Sequence, residues 1–125
     1  MWFIASPATL FRMVAGDVQV GAQLRRGVVE YCVLALIAEQ PTYGLAIARR
    51  LHESGLLESE GTLYPLLSRL RRRDLVESTW EESAAGPPRR YYRLTPAGHA
   101  ALREFRRDWQ LFHTTVNALM GATDG

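Results

Sequence analysis

From Val28 to Ala38 nearly every residue is apolar: Val28, Val29, Tyr31, Cys32, Val33, Leu34, Ala35, Leu36, Ile37 and Ala38. Gln40-Pro41 follows and ends a helix, because proline has no N–H to continue the ladder. Residues 24–39 therefore read as one helix that is greasy on every side, and such a helix must be covered on every side. A chain of 125 residues folds as one domain, and a single small core covers only one flank of it. The other flank calls for a second subunit.

The end of the sequence makes the same demand. Thr95-Pro96 restarts a helix, with Thr as N-cap and Pro in the first turn. Beyond it Leu102, Phe105, Trp109, Phe112, Val116 and Leu119 recur at spacings of 3, 4, 3, 4 and 3. That is a repeat of about 3.5 residues, the mark of a helix running along another helix. No later element of the sequence is there to receive it, so a partner's terminal helix or apolar first helix is the expected acceptor.

Between these two helices lie the candidate functional elements. Residues 43–54 form a helix with the stripe Leu45, Ala48 and Leu51, closed by Gly55. Leu56-Leu57-Glu58 links it to a second short helix within residues 59–74. There Leu63, Leu67 and Leu70 fall at i, i+4 and i+7, one apolar stripe. Ser59 is placed to cap it and Glu60 puts an acid in its first turn. Thr62, Pro65, Ser68, Arg69 and Arg72 face away from the stripe, with Tyr64 on the flank. From Gly61 to Arg73 there are four arginines and no acid. Two short helices joined by a tight turn make a helix-turn-helix, and the major groove admits the second. The alternative is a surface helix whose terminal arginines only complement its dipole.

After Asp74 the period falls to two. Val76 and Trp80 share one face of residues 75–82, and Glu77, Thr79 and Glu81 the other. Residues 83–88 read as a loop tip, and residues 89–94 alternate again. This is a β-hairpin whose return strand opens on Arg89 and Arg90, within reach of a phosphate backbone. Its arginines could instead pair with Glu77, Glu81 and Glu82, each exposed pair contributing about 0–1 kcal/mol.

Composition narrows the function by exclusion. The formal charge is only +2, so the pI of about 9.0 says little alone. All 15 basic residues are Arg; Arg suits phosphate and guanine edges, though GC-biased codons give the same usage. The single Cys32 excludes an internal disulfide, fits a reducing cytoplasm, and reads as a small core residue. His52, His99 and His113 are scattered, and no nucleophile–base pair, metal-ligand spacing or phosphate-cradling loop accompanies them. No enzyme, metal or cofactor is expected. No apolar run reaches membrane-span length, and Met1-Trp2-Phe3-Ile4 lacks the basic flank of a signal peptide. Residues 1–23 form an N-terminal extension, disordered or packed on the partner, with a short helix possible from Ser6-Pro7 to Val14 and an alternative start at Met13.

Four blocks resemble the PadR family of bacterial transcriptional regulators. They are Leu34-Ala35-Leu36-Ile37 leading to Tyr43-Gly44; Glu60-Gly61-Thr62-Leu63-Tyr64-Pro65-Leu66-Leu67-Ser68-Arg69-Leu70; Gly86 with Arg89-Arg90-Tyr91-Tyr92-Arg93-Leu94-Thr95; and Gly98. The single terminal helix looks like the short subfamily. The resemblance implies a mainly α fold with a small β-hairpin: a winged helix-turn-helix over residues 24–95 and a C-terminal dimerisation helix over residues 96–121. It further implies a homodimeric, ligand- or stress-responsive repressor bound to a palindromic operator in double-stranded DNA. Thr62, Tyr64, Pro65, Ser68 and Arg69 would enter the groove, and Tyr43, Arg72, Arg89 and Arg90 would meet phosphates. Trp109 lies where multidrug-sensing members look to carry a tryptophan that stacks planar aromatic effectors. Val29, Val33, Phe105 and Phe112 would complete that pocket; the alternative is a closed, dry seam. A winged-helix module that binds protein instead of DNA is the competing function.

Overall fold

The computed structural model describes residues 19–57 and 59–121. The short helix expected near residues 6–14 lies outside them. The elements are α1 (Gln19–Glu39), β1 (Thr42–Tyr43), α2 (Gly44–Glu53), a 3-10 turn (Glu60–Thr62), α3 (Leu63–Arg72), β2 (Val76–Ser83), β3 (Gly86–Leu94) and α4 (Pro96–Met120). The three strands form one antiparallel sheet in the order β1-β3-β2.

One core joins these elements. Val33, Leu34 and Ile37 from α1 meet Ile47, Ala48 and Leu51 from α2, and Leu63, Leu66, Leu67 and Leu70 from α3. Val76, Tyr92 and Leu94 bring in the hairpin and Leu102 the start of α4. Each of these four α3 leucines is at most 6% exposed, so that stripe fixes which face of α3 is left for solvent. In α2 the buried stripe is Gly44, Ile47, Ala48 and Leu51, and the expected Leu45 is only half-buried. Ala48 and Leu51 stay on the buried face and Ile47 completes it in place of Leu45, while Tyr43, expected in the helix, belongs to β1, where it pairs with Tyr91 of β3.

Both short helices end in Schellman closures. After α2, Leu56 N donates to Leu51 O and Gly55 N to His52 O, with Gly55 at φ 78°. After α3, Leu75 N donates to Leu70 O and Asp74 N to Arg71 O, with Asp74 at φ 61°. Asp tolerates this left-handed turn better than most residues that carry a Cβ.

The hairpin tip is tighter than expected. Ser83 pairs directly with Gly86, leaving Ala84-Ala85 as the turn, and an irregularity lies between Glu81 and Ser83. Pro87 and Pro88, expected in the loop, belong to β3. They are tolerated because β1 pairs only with Tyr91 and Tyr92, so that edge of β3 is open beside the prolines. The expected alternation holds, but Trp80 is 66% exposed where Val76 is buried: the wing projects past the end of the core.

Thr95 caps α4 as expected, its hydroxyl accepting from Gly98 N at 2.9 Å. The seam on α4 is covered at its start and bare at its end. Leu102 is 3% exposed, Trp109 42%, Phe112 59% and Leu119 83%. Phe105 stacks on Tyr31 of α1, ring centroids 4.2 Å apart. Burial among these helices also pushes the Cys32 thiol above its usual pKa, so it stays a neutral core group.

Candidate nucleic-acid interface

The packing of α3 decides what it offers. With its leucines turned inward, Thr62, Tyr64, Pro65, Arg69 and Arg72 are exposed and Ser68 half-exposed. The helix starts later than expected. Ser59 makes no side-chain cap; its carbonyl instead accepts from the backbone N–H of Thr62 at 3.3 Å and from Thr62 Oγ1 at 2.8 Å. A 3-10 turn thus delivers the chain into α3 and anchors Thr62 at its tip.

Tyr64 lies across Gly44 of α2. A Cβ at Gly44 would sit 2.9 Å from Tyr64 Cε1, so only glycine leaves this ring its place. Desolvation, then Glu60 and Tyr92, raises the Tyr64 pKa further above neutrality. The phenol is therefore a hydrogen-bond donor at the tip of the reading helix.

Arg69 is exposed as expected, but it is also tied to α1. Its Nε and Nη2 donate to Glu30 Oε2 of α1 at 3.0 and 2.9 Å, and Arg73 Nη1 donates to Oε1 at 2.9 Å. An acid on the neighbouring helix turns these two guanidiniums sideways. Glu30 was not among the expected site residues; its signal is that it stands alone as a charge within the apolar run of α1. Arg72 is exposed and has no ion pair among the described residues.

The wing arginines pack on rings. The Arg89 guanidinium lies 4.3 Å from the ring centre of Tyr43, which meets Tyr91 edge-on. Arg90 lies over Trp80 at 5.5 Å, and its Nε donates to Ser78 Oγ at 3.0 Å. Register places Glu81 opposite Arg89 and Glu77 opposite Arg93, yet among the described residues no ion pair joins a wing arginine to a hairpin acid. Aromatic support holds these cations in place without neutralising them.

A groove of about 750 Å³ runs between α1 and α4. Phe105, Asp108, Trp109 and Phe112 line one wall, Leu24, Arg25, Gly27 and Val28 the other, and Leu56 also contributes. Of the expected pocket, Phe105, Trp109 and Phe112 are here; Val33 and Val29 are not. Val33 is fully buried in the core and Val29 packs against it. Leu24, Gly27 and Val28 share a helical face at i, i+3 and i+4, and that face, not the one bearing Val29 and Val33, turns toward α4.

Among the described residues no group of three or more His, Cys, Asp or Glu could hold a metal ion. None of their helices is long and apolar enough to cross a membrane.

A helix-turn-helix with a basic second helix, followed by a hairpin with uncompensated arginines, defines a winged helix-turn-helix protein. The model of the PadR-like transcriptional regulator family matches residues 33–104, and the chain belongs to that family. A PadR-like transcriptional regulator from Bacillus cereus superposes with a TM-score of 0.73 at 39% identity, over 78% of this chain and 96% of that one. A PadR family regulator from Eggerthella lenta gives 0.73 at 33% identity, over 90% of this chain and 96% of that one. A transcriptional regulator of Mycobacterium tuberculosis is 39% identical over 85 residues, which is 68% of this chain and 78% of that protein. The family consists of DNA-binding regulators, not enzymes.

Proposed function

We propose that two copies of this chain clasp through α4 and seat their α3 helices in successive major grooves of a palindromic operator, repressing transcription until a small ligand or stress signal releases them. The supporting observation is the seam of α4. Trp109, Phe112 and Leu119 lie at helical spacing yet are 42%, 59% and 83% exposed, an apolar stripe that a second copy of the same helix would cover. Such a clasp sets the two reading helices roughly 34–36 Å apart, one turn of duplex.

Within each half-site Thr62, Tyr64, Pro65 and Ser68 face the base edges. Arg72, Arg89, Arg90 and Tyr43 meet phosphates, which set affinity and register while base contacts set sequence preference. Arg89→Ala is expected to weaken operator and random duplex alike and to reduce the slope of log K against log salt by about 0.9 for each chain bound, one phosphate contact per chain and about 1.8 for the dimer. Filter binding or anisotropy across a salt series measures it. An unchanged slope would remove the wing from the interface.

The groove between α1 and α4 is the proposed effector site, a flat aromatic ligand lying against Trp109. Tryptophan fluorescence titration with a planar cationic dye, repeated on Trp109→Ala by anisotropy of the dye, tests it. Affinity is expected to drop roughly tenfold, the order of one lost aromatic stack of about 1–1.5 kcal/mol; equal affinity would make the groove a plain seam.

A further inference from the structure

The reading helix carries Arg69, Arg71 and Arg72, and Arg73 caps its C-terminus, but this charge is not all on offer. Both carboxylate oxygens of Glu30 are committed, Oε2 to Arg69 and Oε1 to Arg73. The carboxylate side chain is only 18% exposed, whereas each arginine side chain remains 49% exposed. The acid is thus shielded on α1 while the two guanidiniums stay within reach of solvent, and of any phosphate that could compete for them. Arg71 is half-buried and Arg72 is the exposed arginine without such a leash. The other groups on this face, Thr62, Tyr64, Pro65 and Ser68, are neutral.

We infer that Glu30 is a specificity-determining residue: it holds Arg69 and Arg73 off the phosphate backbone, so that α3 reads bases without a strong attraction for random DNA. The inference rests on the DNA-binding reading above. Random binding is set by the number of phosphates neutralised, at about 0.9 in the salt slope for each. Withholding two arginines removes up to two such contacts per chain from random DNA. The operator complex retains its neutral base contacts, so the ratio of specific to random affinity rises.

The test compares the parent, Glu30→Gln, Arg73→Gln and the double variant, each as full chain, on operator and random duplexes over a salt series. Glu30→Gln is expected to steepen the random-DNA slope by about 0.9 for each arginine released and to lower the operator-to-random ratio. Arg73→Gln is expected to leave the parent's slope unchanged but to flatten that of Glu30→Gln by about 0.9 for each chain bound. A purely structural role for Glu30 would lower thermal stability without this non-additivity. Parent-like slope and ratio in Glu30→Gln overturn the inference, as does an equal loss of slope from Arg73→Gln in both backgrounds. In those cases a parent that still prefers operator DNA and responds to Arg89→Ala leaves the DNA-binding reading standing; a parent that binds no DNA brings both down.

Discussion

Gly98→Ala is expected to cost about 3 kcal/mol or more of folding stability, the upper range for forcing a group into a packed site. A Cβ at Gly98 would run into the carbonyl oxygen of Leu75. That carbonyl cannot step aside cheaply, because it accepts the Thr95 N–H at 3.1 Å. Thr95 Oγ1 in turn donates to Asp74 O at 2.7 Å and accepts from Gly98 N at 2.9 Å. The end of α3, the start of β2 and the start of α4 thus meet through backbone, with no flexible side chain between them to yield. At equal protomer concentration, Tm is expected to fall by roughly 10 °C, judged from the entropy of unfolding for a domain of this size. A Tm within about 2 °C of the parent would mean that α4 can back away from Leu75 freely.

The second large effect is expected from Phe112→Glu. Phe112 is 59% exposed within one chain, so its replacement leaves the fold of each protomer largely intact. In the proposed dimer the same position buries a carboxylate in an apolar seam, where an unpaired charge is strongly unfavourable. Monomers are expected at micromolar concentration. Operator affinity is expected to fall on the order of 10²–10⁴-fold, since the second half-site is no longer delivered by the first. A far-ultraviolet spectrum like the parent's separates this from unfolding. Undiminished operator affinity in a proven monomer would show that one reading helix suffices.

How much of this was legible in the sequence differs by element, for physical reasons. The stripe of α3 and the Thr95 cap are local patterns, and each stands where the sequence put it; the apolar stripe of α4 is buried at Leu102 and exposed from Trp109 onward. The two-residue strand β1 has no period to read; it exists because Tyr43 meets Tyr91, nearly fifty positions later. The α1 wall of the groove was not legible because α1 is apolar all round, so its sequence does not say which side faces the core. Packing turned Val33 inward and Val28 toward α4. The ion pair of Arg69 was not legible because its partner, Glu30, lies 39 residues earlier, and no local pattern announces a contact between two helices. The hairpin tip came out shorter than expected because consecutive prolines read as loop, while an open strand edge also accepts them.

The most direct test of the account is the number of chains on one operator. Sedimentation equilibrium of the protein on a duplex from the intergenic region upstream of its gene should show two 14.1 kDa chains per site. They should bind together, with no singly occupied species at micromolar concentration. One chain per site, or a lone chain in solution that binds this duplex no better than heparin, would contradict it.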